Sequence, residues 1–286
     1  MHRKEKDTWS KFQRAVLGTL AQLKCDHACP LFISGDLFDK WDSSAALINQ
    51  TIACLPVCCG IPGNHDLPNH NYSQIDQSAY WTLVEAGRLN TLTPAGNQPQ
   101  SIEQLLVTPF PCGFPPGPPT EKHSLALNVA IVHDYIWTEK TGHPNAPAVK
   151  RYGKQFAKVA EYDVAFFGDN HHGFLIEKEN KVTICNTGCL IQRKSNEAKL
   201  RPFVALLLSD GTVKRHYLEL KAEWSDLGKE VDQIQSTLNA DLTGFIEEMA
   251  DTRRHGGDWK STVKFWCHEQ KIKDSVKIII MKAVEA

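Results

Sequence analysis

The sequence has almost no net charge and lacks a long apolar run. Lysine and arginine total 32 and aspartate and glutamate total 33, so the formal net charge is −1. Composition therefore does not produce a generally basic surface for nucleic acid, and any such contact must come from local clusters. The longest uncharged stretch, Ser43 to Asn64, contains polar residues and two prolines, so it is not a membrane span.

A secretory signal and a disulfide framework are also lacking. Residues 1–7, MHRKEKD, have no apolar stretch behind their charges, so a signal peptide is not expected. The nine cysteines are an odd number in a chain too long for a small secreted scaffold. We interpret them as reduced thiols and expect a cytoplasmic protein. The pairs Cys25/Cys29 and Cys185/Cys189 have C-x3-C spacing, whereas zinc ribbons prefer C-x2-C, so zinc knuckles are not predicted.

Length and composition indicate an ordinary globular protein. Hydrophobic residues make up 42% of the chain and charged residues 23%, which excludes a disordered or fibrous chain. The 286 residues are about twice the ~150 of a typical domain, so we expect one large domain, alone or with a small appendage.

Helical and strand patterns alternate along the first part of the chain, which favours an α/β fold with buried strands. An N-terminal helix is predicted because five apolar residues share a helical stripe: Trp9, Phe12, Val16, Leu20 and Leu23. Further helices are predicted at Ser43–Cys54 and Val149–Ala160. Strands are predicted at Pro30–Ser34, Leu55–Pro62, Leu125–Val132 and Tyr162–Phe167.

Three other segments have distinct patterns. Residues 108–120 contain six prolines and are predicted to form a rigid loop. Two β-hairpins are predicted, Phe174–Lys178 with Lys181–Asn186 and Phe203–Leu208 with Thr212–Leu220. Residues 222–286 carry only helical patterns, so we divide the chain into a domain at 1–221 and a helical appendage at 222–286.

Four predicted strands end at side chains that can bind a metal ion. These are Asp36, Asn64 with His65, His133, and Asp169 with His171. One such loop is usually an ordinary turn, but four in succession are difficult to explain structurally, and α/β sheets carry their chemistry at the carboxyl ends of strands. Carboxylate and amide oxygens combined with imidazole suit Mn, Fe or Zn better than Ca or Cu(I).

The sequence at these strand ends resembles the calcineurin-like metallophosphoesterases. Gly35-Asp36-Leu37-Phe38-Asp39 matches their G-D-x-x-D motif, and Gly63-Asn64-His65-Asp66 matches G-N-H-[DE]. His133 corresponds to an isolated histidine after a strand, and Gly168-Asp169-Asn170-His171 to G-H-x-H, with Asp in place of the first His. Asn186-Thr187-Gly188 is similar to the family's N-x-G segment. The variant last motif and the helical tail resemble the SbcD-like branch of phage and bacterial DNA repair exonucleases.

The resemblance implies an α/β fold of the metallophosphoesterase type, a two-layered β-sandwich flanked by helices, with two metal sites at the strand ends. Asp36 would bridge the metals, Asn64, His133 and Asp169 would complete the second site, and His171 would serve the first. Motif spacing favours His171 over the neighbouring His172. Manganese is the expected metal, with zinc, iron or magnesium as alternatives.

Four more residues have roles by the same resemblance. His65 would be catalytic, stabilising charge or protonating the leaving group after attack by a metal-activated hydroxide. Asp39 and Asp66 are expected to orient the ligands and His65. Arg193 is a weak candidate for a phosphate contact, and a solvated arginine is the simpler interpretation.

The chain departs from the family at its start. The D-x-H motif, which supplies two ligands of the first metal, is missing, and residues 2–7 resemble the segment that follows it. A start further upstream, a shortened chain and a weakened first site are all consistent with this, and His2 could substitute as a ligand only poorly, because a terminus is usually mobile.

We therefore expect a metal-dependent phosphodiesterase, a nuclease acting on DNA, with no membrane partner. A phosphomonoesterase acting on small molecules or phosphoproteins, and a binding module that has lost catalysis, remain alternatives. A basic helix face is expected to be solvated, with a DNA-backbone contact as the alternative: Lys150, Arg151, Lys154 and Lys158. A homodimer or an SbcC-like ATPase partner is implied by the resemblance alone.

Overall fold

The computed structural model of the chain describes residues 7–94, 99–122, 125–142, 146–179, 182–191, 197 and 200–219. His2, Arg193 and the predicted appendage at 222–286 lie outside the described residues.

The described residues form a mixed α/β structure with several sheets flanked by helices. The α-helices are α1 (Asp7–His27), α2 (Ala45–Cys54), α3 (Ala79–Glu85) and α4 (Tyr152–Val159). Short 3-10 helices cover Pro68–His70, Tyr72–Gln77 and Ala148–Lys150. The strands are β1 (Phe32–Ile33), β2 (Cys58–Gly60), β3 (Leu89–Thr91), β4 (Gln100–Ile102), β5 (Leu105–Phe110), β6 (Leu127–Val132), β7 (Val164–Phe167), β8 (Phe174–Glu179), β9 (Val182–Asn186), β10 (Phe203–Leu207) and β11 (Val213–Tyr217).

Within the described residues, the strands form three sheets. β1, β2 and β3 form a parallel three-stranded sheet, and a six-stranded sheet has the order β4-β5-β6-β7-β9-β8. Its central strands β5, β6, β7 and β9 run parallel, whereas β4 and β8 are antiparallel to their neighbours. β10 and β11 form the third sheet, an antiparallel hairpin. Both predicted hairpins are therefore present.

The six-stranded sheet is covered on both faces, and its side chains alternate between two cores as the pleat requires. Val129 and Ile131 face a core shared with Ile61 of the loop after β2, whereas Ala130 and Val132 face a core shared with Val159 of α4 and its neighbours. β7 and β9 also pack against the hairpin β10–β11. The three-stranded sheet and the hairpin thus form a second layer against one face, while α4 covers the other.

The outer face of the second layer is covered by helices. α2 and α3 contribute to a core with the three-stranded sheet, and Phe12 and Val16 of α1 pack with Leu218 beside the hairpin. Phe12, Val16 and Leu20 are buried, as the predicted apolar stripe requires. Ser44 caps α2 by accepting a hydrogen bond from the Leu47 N–H, so this helix begins close to its predicted start.

The prediction of a rigid loop at 108–120 is wrong for its first residues, because Thr108, Pro109 and Phe110 belong to β5. The Phe110 carbonyl accepts a hydrogen bond from the His133 N–H on the β6 side, so the nitrogen of Pro109 points to the opposite side. β4 pairs with β5 only as far as Val107, so no ladder hydrogen bond is lost at Pro109.

In the part of the chain that the structure describes, no helix has the length and apolarity needed to cross a membrane. No disulfide bond joins any two cysteines within the same residues.

Candidate metal centre

The candidate site lies where parallel strands of the two sheet layers end. β1 leads into Gly35 and Asp36, and β2 leads into Asn64 and His65. β6 leads directly into His133, and β7 leads into Asp169. Because carboxyl ends of parallel strands meet at one edge, segments far apart in the sequence bring their polar side chains together.

The structure gathers three of these side chains into one cluster. Ligand atoms of Asp36, His133 and Asp169 all lie within 4.8 Å of one another. The Asn64 side-chain oxygen lies 3.0 Å from His133 Nε2, and Asp36 Oδ1 lies 3.4 Å from the same nitrogen. This group of four, Asp36, Asn64, His133 and Asp169, is called the Asp36 cluster below.

The orientation of His133 fits metal binding. Its Nδ1 lies 2.7 Å from the Ser34 carbonyl oxygen, which can only accept, so Nδ1 carries the hydrogen and donates it. In the neutral ring, Nε2 then holds a lone pair directed at the oxygens of Asp36 and Asn64. A hydrogen bond from the far ring nitrogen to a carbonyl is the usual arrangement of a metal-bound histidine. In that state, a cation bound between these atoms would be shared by the imidazole nitrogen and the two oxygens.

Three glycines allow this close packing around His133. A Cβ on Gly35 would lie 2.1 Å from His133 Nδ1, and one on Gly63 would lie 2.1 Å from Asp36 Oδ1 and 2.6 Å from His133 Cε1. A Cβ on Gly168 would lie 2.2 Å from the Ser34 carbonyl oxygen. Each strand-end motif therefore supplies a glycine because the backbone approaches the imidazole too closely for any side chain.

Both carboxylates of the cluster lie on strained backbone. Asp36 has φ +54° and Asp169 has φ +77°, in the left-handed region that Asp and Asn tolerate better than most residues. Two consecutive residues after the Asn64 loop, Asn69 and His70, also have positive φ. Such strain is often found at functional sites, where the surrounding structure holds it in place.

Negative charge accumulates in the cluster. Burial raises the pKa of the Asp169 carboxyl, and the neighbouring Asp36 and Asp134 raise it further, whereas His133 lowers it. The pKa of the Cys112 thiol is raised by burial and by the carboxylates of Asp36, Asp169 and Asp134. Lys150 neutralises Asp134, with its ammonium 2.6 and 2.5 Å from the two carboxylate oxygens. A divalent cation would offset the repulsion between Asp36 and Asp169, so the donors present fit a metal ion.

Asp66 connects the first two motifs. Its fully buried carboxylate accepts hydrogen bonds from the Phe38 N–H at 3.0 Å, the Gly63 N–H at 2.9 Å and the Leu37 N–H at 3.2 Å. Burial raises the pKa of this carboxyl to about 6, against the lowering effect of the three hydrogen bonds. Asp66 thereby holds the Asp36 loop against the Asn64 loop, and the Asp36 charge also raises the pKa of its carboxyl.

Replacing Asp66 by asparagine is expected to weaken Mn²⁺ binding by about 10- to 100-fold, the usual cost of losing a group that orients ligands. The substitution keeps the shape but turns an N–H₂ group toward main-chain N–H donors, so the two loops separate. Isothermal titration with Mn²⁺ measures the change, and Asp76→Asn, on an exposed residue, is the matched control. An unchanged affinity in the Asp66 variant would contradict this role.

His65 lies beside the cluster and partly faces solvent. Its Nδ1 is 2.9 Å from the main-chain oxygen of Asp39 and 4.0 Å from the Asp39 carboxylate, and its side chain is 42% exposed. Its backbone N–H donates to Asp36 Oδ1 at 3.0 Å. Since the Asp39 carbonyl fixes the hydrogen on Nδ1, the Nε2 atom of His65 is available to exchange a proton.

His171 has different neighbours. Its Nδ1 lies 2.5 Å from Glu197 Oε1, and ligand atoms of His171, Cys189 and Glu197 lie within 4.8 Å of one another. It remains near enough to lower the pKa of the Asp169 carboxyl. His171 is thus grouped with residues other than those of the Asp36 cluster, and its predicted role at the first metal site stays a prediction.

Sequence reasoning missed three participants. His70 lies in none of the motifs, and its Nδ1 lies 3.0 Å from the Asn64 carbonyl oxygen. Cys189 was considered only as part of a C-x3-C pair, and nothing in the sequence around Glu197 predicted its proximity to His171. The position of Cys189 directly after the Asn186-Thr187-Gly188 segment was the one available signal.

Comparisons with known proteins add little. No model of a known protein family matches the chain, and no curated protein matches its sequence. Among solved structures, it is similar to a hypothetical protein from Pyrococcus horikoshii OT3, with 11% identity, a TM-score of 0.38 and coverage of 78% of this chain and 88% of that one. It is also similar to a metallophosphoesterase from Sphaerobacter thermophilus, with 16% identity, a TM-score of 0.36 and coverage of 76% and 90%. These scores are too low to decide fold or chemistry.

Proposed function

We propose that the chain is a metal-dependent phosphoesterase of the metallophosphoesterase type. The observation that supports the proposal is the convergence of Asp36, His133 and Asp169, with Asn64 beside them, at the ends of strands from two sheet layers. These residues belong to the segments in which the sequence resembles that family. In the neutral tautomer that the Ser34 carbonyl selects, the lone pair of His133 Nε2 points toward the oxygens of Asp36 and Asn64, as a shared metal ion would require.

The Asp36 cluster would hold the metal ion. Its three oxygen-bearing side chains and one imidazole favour Mn²⁺ over softer metals. A divalent ion bound there would withdraw charge from a phosphoryl oxygen and lower the pKa of a water molecule. The chain itself holds the ligands in position through Ser34 at His133, Asp66 at the two loops and His70 at Asn64.

His65 is the proposed proton donor. Its Nδ1 is oriented by the Asp39 carbonyl, so in the protonated ring Nε2 can pass a proton to a leaving oxygen. The Asp39 carboxylate lies 4.0 Å from the same Nδ1 atom. Because both side chains are substantially exposed, a large substrate can reach this position.

We further propose a phosphodiester substrate, DNA in the first instance, as the resemblance to the SbcD-like branch implies. Two of the four residues of the predicted basic helix face already have partners, since Lys150 pairs with Asp134 and Arg151 with Glu139. A DNA contact there would rest mainly on Lys154 and Lys158, which are exposed.

Hydrolysis assays of the 286-residue chain with Mn²⁺ test the proposal. Bis-p-nitrophenyl phosphate represents a diester, p-nitrophenyl phosphate a monoester, and single- and double-stranded DNA the expected substrate. A preference for the monoester would favour the phosphomonoesterase alternative. Failure to cleave any of these substrates at full Mn²⁺ loading would overturn the proposed function.

Replacing His65 by alanine is expected to lower kcat for the diester by about a hundredfold, at the lower end of what a proton donor contributes. Mn²⁺ affinity should stay close to that of the unaltered chain, since the His65 side chain is not in the Asp36 cluster. Steady-state kinetics and Mn²⁺ titration measure the two effects. His27→Ala, an exposed histidine at the end of α1, is the control, and an equal loss in both variants would speak against the role.

A further inference from the structure

A second group of side chains near the Asp36 cluster has a different chemistry. His171 follows β7, Cys189 follows β9, and Glu197 lies further along the chain. One ligand atom from each, an imidazole nitrogen, a sulfur and a carboxylate oxygen, lies within 4.8 Å of the other two. Cys189 and Glu197 have no role in the proposed function, and the resemblance places His171 at a different site, together with Asp36.

The backbone fixes His171 and Cys189 side by side. The Cys189 N–H donates to the His171 carbonyl at 3.1 Å. Gly188 has φ +74°, and a Cβ on it would lie 2.6 Å from the His171 carbonyl oxygen and 2.7 Å from the Gly173 nitrogen. The Asn186 side chain donates to the carbonyls on either side of His171, at Asn170 and His172. This degree of constraint is typical of a binding site rather than of an accidental contact.

Glu197 brings a buried negative charge to the group. Its side chain is only 1% exposed, and its Oε1 lies 2.5 Å from His171 Nδ1. Buried carboxylates are usually found in ion pairs or bound to metal ions. Here the carboxylate, the imidazole and the Cys189 sulfur lie close enough together to be ligands of one ion.

The group is accessible from a cavity of about 160 Å³, which His171 and Cys189 help to line. Arg201, Arg215 and Tyr217 line the same cavity, and both guanidinium groups stack on aromatic rings. The cavity therefore gives an ion or a water molecule access to His171 and Cys189.

We propose that His171, Cys189 and Glu197 bind a divalent metal ion of the zinc type. Nitrogen, sulfur and carboxylate oxygen are the three kinds of ligand that Zn²⁺ takes, and three protein ligands with an open fourth position are typical of a catalytic zinc site. The donors differ from those of the Asp36 cluster, which contains no sulfur. The inference does not depend on phosphoester hydrolysis.

Cobalt spectroscopy tests this inference, because Co²⁺ replaces Zn²⁺ and shows an intense near-ultraviolet absorption only when a thiolate binds it. The metal-free, reduced 286-residue chain is titrated with Co²⁺. We expect this absorption to saturate at one equivalent and to disappear when Zn²⁺ is added. Cys189→Ala should abolish it, whereas Cys112→Ala and Asp36→Asn should retain it.

Absence of the absorption from the unaltered chain would overturn the inference, as would its survival in Cys189→Ala. Loss of the absorption in the Cys112→Ala variant would show that Cys112, beside the Asp36 cluster, supplies the thiolate, and this would also overturn the inference. If Cys189→Ala does not fold, Glu197→Gln serves instead, with an expected 10- to 100-fold or greater loss of Co²⁺ affinity, and an unchanged affinity would count against the site. If the Asp36→Asn variant keeps the Co²⁺ absorption, the thiolate site exists independently of the Asp36 cluster, and a failure of the proposed phosphoesterase activity would not affect this inference.

Discussion

Replacing Asp36 by asparagine is expected to remove Mn²⁺ from the Asp36 cluster and to reduce kcat/KM for bis-p-nitrophenyl phosphate by more than about a hundredfold. Loss of a group that only orients ligands costs about 10- to 100-fold, so loss of a charged ligand should cost more. Asparagine tolerates the φ of +54° at this position and keeps an oxygen for the His65 N–H, so the geometry is preserved while the charge is lost.

The same substitution should not lower the stability of the metal-free protein. Asp36 contributes to the raised pKa of the Asp169 carboxyl, so the two carboxylates repel each other in the folded chain. Removing one charge relieves this repulsion, and the thermal midpoint should stay equal or rise, as is common where function requires strained charges. Elemental analysis, hydrolysis kinetics and thermal denaturation measure the three effects, with the exposed Asp42→Asn as the control. Full metal content and full activity in the Asp36 variant would refute the assignment.

The sequence predicted the fold where its signals are local. The apolar stripe of α1, the strand-loop-helix alternation and the Asp210-Gly211 turn of the last hairpin each depend on neighbouring residues, and all three are present. The strand β5 was missed because its proline-rich end resembles a loop. Pro109 is tolerated only because β4 stops short of it, which is a property of the sheet and not of the segment.

The residues of the candidate site likewise fall into those that the sequence predicts and those that only the structure reveals. Asp36, Asn64, His133 and Asp169 could be selected from the sequence because each follows a predicted strand, and parallel strands gather their ends at one edge. His70 and Glu197 could not be selected, since neither lies in a recognisable pattern and the partner of each is known only from the structure. Gly63 and Gly188 were visible as glycines, but the atoms that exclude a side chain at each become known only from the structure.

The glycine at position 63 provides the most stringent test of how the cluster is assembled. A Cβ there would lie 2.1 Å from Asp36 Oδ1, 2.4 Å from the Asp36 backbone nitrogen and 2.6 Å from His133 Cε1. The carboxylate can rotate away, but the backbone nitrogen and the buried imidazole cannot move without shifting their loops. Gly63→Ala is therefore expected to separate Asp36 from His133 and to destabilise the fold by about 1–3 kcal/mol, the usual cost of overpacking.

Mn²⁺ binding by Gly63→Ala should be weaker by more than about a hundredfold, because the substitution displaces two ligands rather than one orienting group. Gly153→Ala is the matched control, since a Cβ at this exposed helical position meets no atom within 4 Å. It should leave Mn²⁺ affinity unchanged and stabilise the protein by up to about 1 kcal/mol, the difference in helix propensity. Mn²⁺ titration measures the affinity of the two variants, and denaturant unfolding measures their stability. If Gly63→Ala binds Mn²⁺ as tightly as Gly153→Ala, the close approach of Asp36, Gly63 and His133 is not what holds the metal, and the Asp36 cluster must bind through some other arrangement.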